Sequence, residues 1–452
     1  MLKTQIIVVG AGIAGIAAAR TLHDEGYVVT VLEARDRIGG RIHTDYSLGL
    51  PVELGATWIH GIMANPLTSL AQAYGLSYVE TDFINRSGCA LQAYDADGTP
   101  LDMDEYTEGQ FMAKGACIQA FASILVNRPN YQHRSHKYFV QNDLPKYADM
   151  TATQQKGFYY WSTILEEYLN ASDWDIMDWQ IRENFVSLPG GDWLLPDGGY
   201  GEMIKQLSDG LDIRTEVEVE TVDYSQASVR VITKEAEMLC KQVIMTAPLG
   251  VLKAGAIEFE PILPKEKQAA IARMGAGSYE KLVMRFDKFY WPEDKQRFNY
   301  ISDTHNEGTS LFNAWFNAGY YSKKPVLVVY HAGRRACLTN EWSDEEFLER
   351  TRAMMQRLFG DNGYGDIPAP ISYVRSQWQN DPFSQGAISS DQIGQHPDDR
   401  HTFAKAVNKR LFFAGEASHP HFYTTAHGAY ETGVRAAREI IELKSDRIGL
   451  KQ

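Results

Sequence analysis

Gln5-Ile6-Ile7-Val8-Val9-Gly10-Ala11-Gly12-Ile13-Ala14-Gly15 opens the chain's most informative stretch, which continues through Ile16–Glu25 and Tyr27–Glu33. The β-branched run 5–9 predicts a buried parallel strand. The Ala-rich stretch 16–25 predicts a helix, and 27–32 a second strand ending on an acid. A Gly-x-Gly-x-x-Gly alone is a weak signal. Between a strand and a helix, with an acid closing the next strand, it has a physical purpose. Gly10 permits the tight turn, Gly12 lets the backbone approach a pyrophosphate, and Gly15 lets the helix pack on the strand. The helix N-terminus offers unpaired N–H groups to phosphate. Glu33 can accept hydrogen bonds from a ribose diol, which selects a ribose without a 2′-phosphate and therefore FAD or NAD.

The next residues separate those two. Ala34-Arg35-Asp36-Arg37-Ile38-Gly39-Gly40-Arg41 places three guanidiniums and a second glycine pair directly after the acid. Such a loop can close over a pyrophosphate and supply a cation. Plain NAD dehydrogenases do not require it, so FAD is favoured. Arg35 and Arg37 read equally well as surface charge; Arg41, between Gly40 and Ile42, reads as a phosphate contact. At the far end, Arg410–Glu416 reads as a strand ending on Gly415-Glu416. Thr425–Leu443 reads as a helix with small residues at 426, 428, 429, 433, 436 and 437. Small residues let it lie flush against a flat surface, and its N-terminus would place positive dipole beside a developing anion.

Composition excludes several classes. The 452 residues carry 44 Lys+Arg against 58 Asp+Glu, a formal charge of −14. That acid excess argues against nucleic acid, which needs a basic footprint. It suits cationic ligands. Cysteines at 89, 117, 240 and 337 form no close pair, so a CxxC metal or redox motif is absent, and a reducing compartment fits. His133 and His136 lack a third ligand nearby and read as solvated loop histidines; no metal is expected. The longest uncharged run, 5–19, is too short for a membrane span of about 20 residues. No targeting segment is legible, so a cytoplasmic location is expected.

Narrower motifs follow. Gly55-Ala56-Thr57-Trp58-Ile59-His60-Gly61, Trp378-Gln379-Asn380-Asp381-Pro382, Gly415-Glu416 and Phe422-Tyr423-Thr424-Thr425-Ala426-His427-Gly428-Ala429 occur in order along the chain. With the Asp36–Arg41 extension, these residues resemble the flavin-dependent amine oxidase superfamily, and within it the polyamine oxidases. The resemblance runs from Gln5 to about Leu443. It implies non-covalent FAD held by Gly10, Gly12, Gly15, Glu33, Ala34, Arg35, Gly40, Arg41, Gly55, Ala56, Thr57, Trp58, Val219, Trp378, Gly415, Glu416, Thr424, Thr425 and Ala426. It implies that Lys281, in the alternating stretch Tyr279–Phe286, holds a water against the flavin; by pattern alone an exposed strand lysine reads as well. It places His60 at the substrate amine, where a neutral imidazole can accept a hydrogen bond. Tyr423 and Thr425 would line the substrate pocket. Glu80 and Asp82 are candidates for holding distal ammonium groups.

Several residues depart from relatives. Phe383–Ser390 contains no cysteine, which excludes the covalent flavin link of monoamine oxidases. Thr425 and Ile388 stand where an aromatic cage for small arylalkylamines would have rings. Glu280 stands where asparagine is common. No long heptad run is present, which disfavours the coiled insertion of histone-demethylating relatives.

The reaction implied is oxidation of spermine, spermidine or their acetylated forms by hydride transfer to flavin N5. The imine is hydrolysed to an aldehyde and an amine, and O2 is reduced to H2O2. Two alternatives stay open. A monoamine or L-amino-acid oxidase would need, in the amino-acid case, a pocket arginine such as Arg285, Arg334 or Arg375. A flavin-binding interaction protein without turnover is the other. The expected fold is α/β: a Rossmann-like FAD unit (1–80, 200–275 and 400–452) interleaved with a substrate unit of mixed sheet and helices (81–199 and 276–399). Oligomeric state is open.

Overall fold

The first strand, β1 (Ile6–Val9), is completely buried and sits in the middle of a five-stranded sheet. The computed structural model describes residues 5–81, 90–126, 133–145, 147–179, 184–302 and 311–449. Across the sheet the order is Leu411–Phe413, Gln242–Met245, β1, β2 (Val29–Leu32) and Asp212–Arg214, and every pairing is parallel. A parallel sheet covered on both faces needs apolar strands throughout, which explains the unbroken β-branched runs. The first helix, α1 (Ile13–Asp24), follows β1 through the glycine turn.

Close backbone approach dictates that turn. A Cβ on Gly15 would lie 2.0 Å from the Gly10 carbonyl oxygen, and one on Gly10 would lie 2.6 Å from Thr246 Oγ1. Backbone cannot rotate out of the way as a side chain can. Gly15→Ala is therefore expected to cost about 3 kcal/mol, the upper end for overpacking, and to lower flavin retention. Denaturant melts with the absorbance of bound flavin check this. The last helix, Ala426–Gly449, lies along α1. A Cβ on Gly433 would lie 2.1 Å from the Ala14 carbonyl oxygen, and Ala436 and Ala437 are buried. The small residues read from the sequence thus meet a helix, not a flat sheet.

A six-stranded sheet forms the second layer system. Its order is Ser372–Arg375, Tyr279–Arg285, Val326–Ala332, Ala314–Asn317, Arg297–Tyr300 and Leu91–Tyr94. Helices Met103–Val126 and Ala152–Tyr159 pack together, and the latter continues through a wider π turn into Leu165–Asn170. A smaller sheet joins Trp58–His60, Asp192–Leu194 and Val79–Thr81. The architecture is mixed α/β, as expected. His136, expected in solvent, is instead buried with Nε2 on the Ser162 carbonyl at 2.6 Å. Its partner in the H-x-x-H pair, His133, contacts Asp178 at 2.9 Å. Among the described residues no group of three metal-ligating side chains occurs, and no helix is long and apolar enough to cross a membrane.

Candidate active site

A cavity of about 410 Å³ opens at the carboxyl ends of β1 and β2, where open parallel sheets bind ligands. It reaches from Glu33 and Val219 at one end to Lys281 and His60 at the other. Gly10, Gly12, Ala34, Arg35, Gly40, Arg41, Gly55, Ala56, Thr57, Trp58, Trp378, Gly415, Glu416, Thr424, Thr425 and Ala426 all line it. Gly15 does not; it packs behind the turn on Gly10. A Cβ on Gly12 would meet only the Gly39 carbonyl oxygen, at 4.0 Å. The bare backbone there faces open cavity, as a pyrophosphate at the α1 N-terminus requires.

The Glu33 end is held by charge-assisted bonds. Glu33 is buried and accepts the N–H groups of Ala11 at 2.7 Å and Arg35 at 2.9 Å. Its carboxylate is thus fixed at the strand end with lone pairs to spare for a diol. Arg35 is not surface charge: it bonds Asp381 and Ser384, the latter at 2.8 Å. Arg37 braces the loop by donating to the Gly40 carbonyl at 2.9 Å. Arg41 donates through one nitrogen to the Ala387 carbonyl at 2.9 Å and to Glu416 at 3.1 Å. Glu416 also accepts from Ser389 N–H and Oγ–H and from Thr424 N–H, at 3.1, 2.7 and 2.9 Å. Burial pushes its pKa up, but Arg41, Ser389, Arg400 and the Thr424 N–H outweigh this and hold it below the ordinary value. These residues suit a dinucleotide with a pyrophosphate and a free ribose diol.

The other end is organised by Lys281. The strand pattern left its burial open; it is buried, and its backbone N–H donates to Ser376 Oγ. Its Nζ donates to the carbonyls of Glu53 (3.0 Å) and Gly55 and to Thr57 Oγ1 (2.6 Å). Burial lowers its pKa to about 7, with the nearby Glu53 carboxylate pulling back upward. Burial raises Glu53 in turn. The Gly55–Thr57 turn is thus pinned from a strand 226 residues away. Trp378 Nε1 donates to the Leu54 carbonyl, fixing the same segment from the other side.

Trp58 and His60 lie on one side of their strand, as expected, with ring centroids 6.0 Å apart. His60 is 42 % exposed and faces the cavity. Its Nδ1 is 3.0 Å from Asp192 Oδ1. Tyr168, Leu169, Phe185 to Leu188, Tyr279 and Ile388 complete this end. Sequence reading missed Asp192, Glu53, Tyr168, Tyr279 and Phe185; only Gly190-Gly191-Asp192, a turn leading into a strand, carried a signal.

Three expectations need correction. Tyr423 does not line the cavity: it is fully buried behind it, with the Arg400 guanidinium 3.7 Å from its ring centre. Glu80 is exposed on its strand and lies off the cavity; Asp82 is outside the described residues. Among the described residues, the acid that lines this end is Asp192. Arg285, Arg334 and Arg375 also lie off the cavity, bound to the Leu48 carbonyl, to Asp173 and Asp175, and to Asp344.

Comparison with known proteins agrees with this geometry. The profile of the flavin containing amine oxidoreductase family matches residues 13–441. Polyamine oxidase 2 of Arabidopsis thaliana is 34% identical over 96% of this chain and 87% of its own length. Polyamine oxidase 4 of Oryza sativa subsp. japonica is 32% identical over 96% of this chain and 88% of its own. Lysine-specific histone demethylase 2 of Homo sapiens is 30% identical over 96% of this chain but only 53% of its own. With a family profile spanning residues 13–441, nearly the whole chain, this chain belongs to the flavin-containing amine oxidoreductases.

Proposed function

We propose that this protein is an FAD-dependent polyamine oxidase that holds its flavin non-covalently and acts in the cytoplasm. The observation that carries the reading is the Lys281 end of the cavity. It pairs a carboxylate with an imidazole, Asp192 with His60, and among the described residues no arginine lines that end. The residues from Glu33 to Gly55 would hold FAD, which would supply the acceptor for a hydride from the amine's α-carbon and the route of those electrons to O2.

The chain's residues supply binding and proton control. Tyr168, Tyr279, Phe185 and Ile388 give a low-dielectric wall. Such a wall lowers an amine's pKa and favours the neutral form that can be oxidised. His60 accepts a hydrogen bond from the reacting nitrogen, and Asp192 adds negative charge for a polycation. Lys281 holds the Gly55–Thr57 turn against the flavin edge. Thr425 and Ile388 keep the passage open for a long, flexible amine. The parallel-sheet unit (1–80, 200–275, 400–452) is read as the FAD unit, and 81–199 with 276–399 as the substrate unit.

Peroxide release from the yellow holoenzyme tests the reading, with products identified by mass. The panel holds spermine, spermidine, their N1-acetyl forms, phenethylamine, L-amino acids and a methyl-lysine peptide. Strong turnover of a polyamine is expected. Turnover confined to the other amines, or no bleaching of the flavin by any of them, overturns it.

A further inference from the structure

We propose that Asp192 is a positioning residue that fixes the proton of His60 on Nδ1 and so makes Nε2 the acceptor that the cavity presents to the amine. This deepens the polyamine oxidase reading and rests on it. The placement is a consequence of sheet register. His60 and Asp192 are direct partners on antiparallel strands, Trp58–His60 and Asp192–Leu194. Directly opposed residues put their side chains on one face. Asp192 Oδ1 lies 3.0 Å from His60 Nδ1 and also accepts the Gly61 N–H at 3.2 Å. The carboxylate is therefore anchored to the backbone of the segment whose side chain it orients. It is buried, whereas His60 reaches the cavity.

A carboxylate accepts only, so the shared proton sits on Nδ1. Nε2 is then the nitrogen without a proton. Free imidazole exchanges its proton between both nitrogens, and an imidazole protonated at Nε2 could not accept from an amine N–H. A fixed acid beside a histidine sets tautomer and orientation in just this way. Three described polar groups lie near the pair. His427, on the last helix, is held to about 3, by burial first and then by His60 and His419, and so stays uncharged. Tyr200 is pushed well above its ordinary range by burial and by the Glu53 and Asp192 charges, and its hydroxyl donates to the Trp58 carbonyl. Asn65 donates to the His60 carbonyl at 3.0 Å and leaves the ring alone.

The test uses holoenzymes of the wild type, Asp192→Asn, Asp192→Ala, His60→Gln and the double variant His60→Gln with Asp192→Asn. NMR of isotope-labelled histidine reads the tautomer, and His60 is identified by the signal that His60→Gln removes. Stopped-flow bleaching of the flavin by spermine, across pH, reads the consequence. In the wild type the Nδ1-protonated form is expected, and in Asp192→Ala that preference is lost. Asp192→Asn keeps an acceptor oxygen but removes the charge. Its effect on bleaching is expected to be smaller than that of Asp192→Ala. Asp192→Ala is expected to lower bleaching at sub-saturating amine by about 10–100-fold. In the His60→Gln background, Asp192→Asn is expected to lose most of its effect, keeping only what its charge contributes toward a polycation. A wild-type His60 protonated on Nε2, or an undiminished Asp192→Asn effect without His60, overturns the proposal. If no polyamine bleaches the wild type, the substrate reading falls, while the tautomer still decides the role of Asp192.

Discussion

Lys281→Met is expected to slow bleaching of the flavin by amine by about 10²-fold, the loss that a misplacement of about 1 Å in a positioning segment brings. The side chain is nearly isosteric, so the space stays filled while three donations are lost. The carbonyls of Glu53 and Gly55 and the Thr57 hydroxyl lose their common donor. Each buried acceptor left unpaired costs about 1–3 kcal/mol, and the Gly55–Thr57 turn loosens along the cavity wall. The pH signature separates chemistry from loosening. Burial puts the Lys281 pKa near 7, so its ammonium deprotonates within the working range. The wild-type rate is expected to change through about pH 7, and the variant to lose that change. A folded pKa below the unfolded value means that the native state sheds the proton first, so this group's contribution to stability rises as pH climbs from about 7. Glu53, raised by burial, is expected to rise further once the lysine's attraction is gone. Stopped-flow bleaching at matched flavin content checks the prediction; a rate within threefold of wild type and an unchanged pH profile would sink the role given to Lys281.

Glu416→Ala is expected to destabilise the protein by about 3 kcal/mol and to release flavin. Removing one partner of a buried pair strands the other, and breaking such pairs costs about 3–5 kcal/mol. Arg41 is part-exposed, so the lower figure applies. The carboxylate holds three cavity-lining segments at once: Arg41 of the arginine loop, Ser389 of the short strand Ile388–Ser390, and Thr424 at the start of the last helix. No other side chain can replace a four-bond acceptor at that point. Glu416→Gln keeps the size and is expected to cost less. The sign with pH follows from its depressed folded pKa. The contribution is complete above the ordinary carboxylate range and is lost as pH falls through the folded value. Wild type is therefore expected to lose more stability than Glu416→Gln between neutral and acidic pH. Denaturant melts at pH 8 and pH 4 read this directly, and equal losses in the two proteins would refute it.

Much of this was legible because it is local. The β-branched run, the glycine turn and the acid closing β2 lie within 33 residues, and strand period, turn chemistry and helix composition report themselves at that range. The small residues of the last helix likewise announced close packing, though not the partner against which they pack. Gly55–Trp58 and Thr424–Ala426 were legible as cavity walls because each contributes consecutive residues to it.

The faces of single side chains were not legible. Tyr423 sits beside wall residues in the sequence, yet its ring turns inward under the Arg400 guanidinium. Glu80 and Thr81 are neighbours on one strand, but only register decides that Thr81 opposes Asp192 while Glu80 opposes Trp193 and stays exposed. The sequence by itself determined a dinucleotide-binding α/β protein of the flavin amine oxidase type. Only the tertiary structure buried Lys281 against the Gly55 turn and set Asp192 beside His60, 132 residues away. Those pairings follow from strand register and from the desolvation of charges, and both exist only once distant segments have closed on one another.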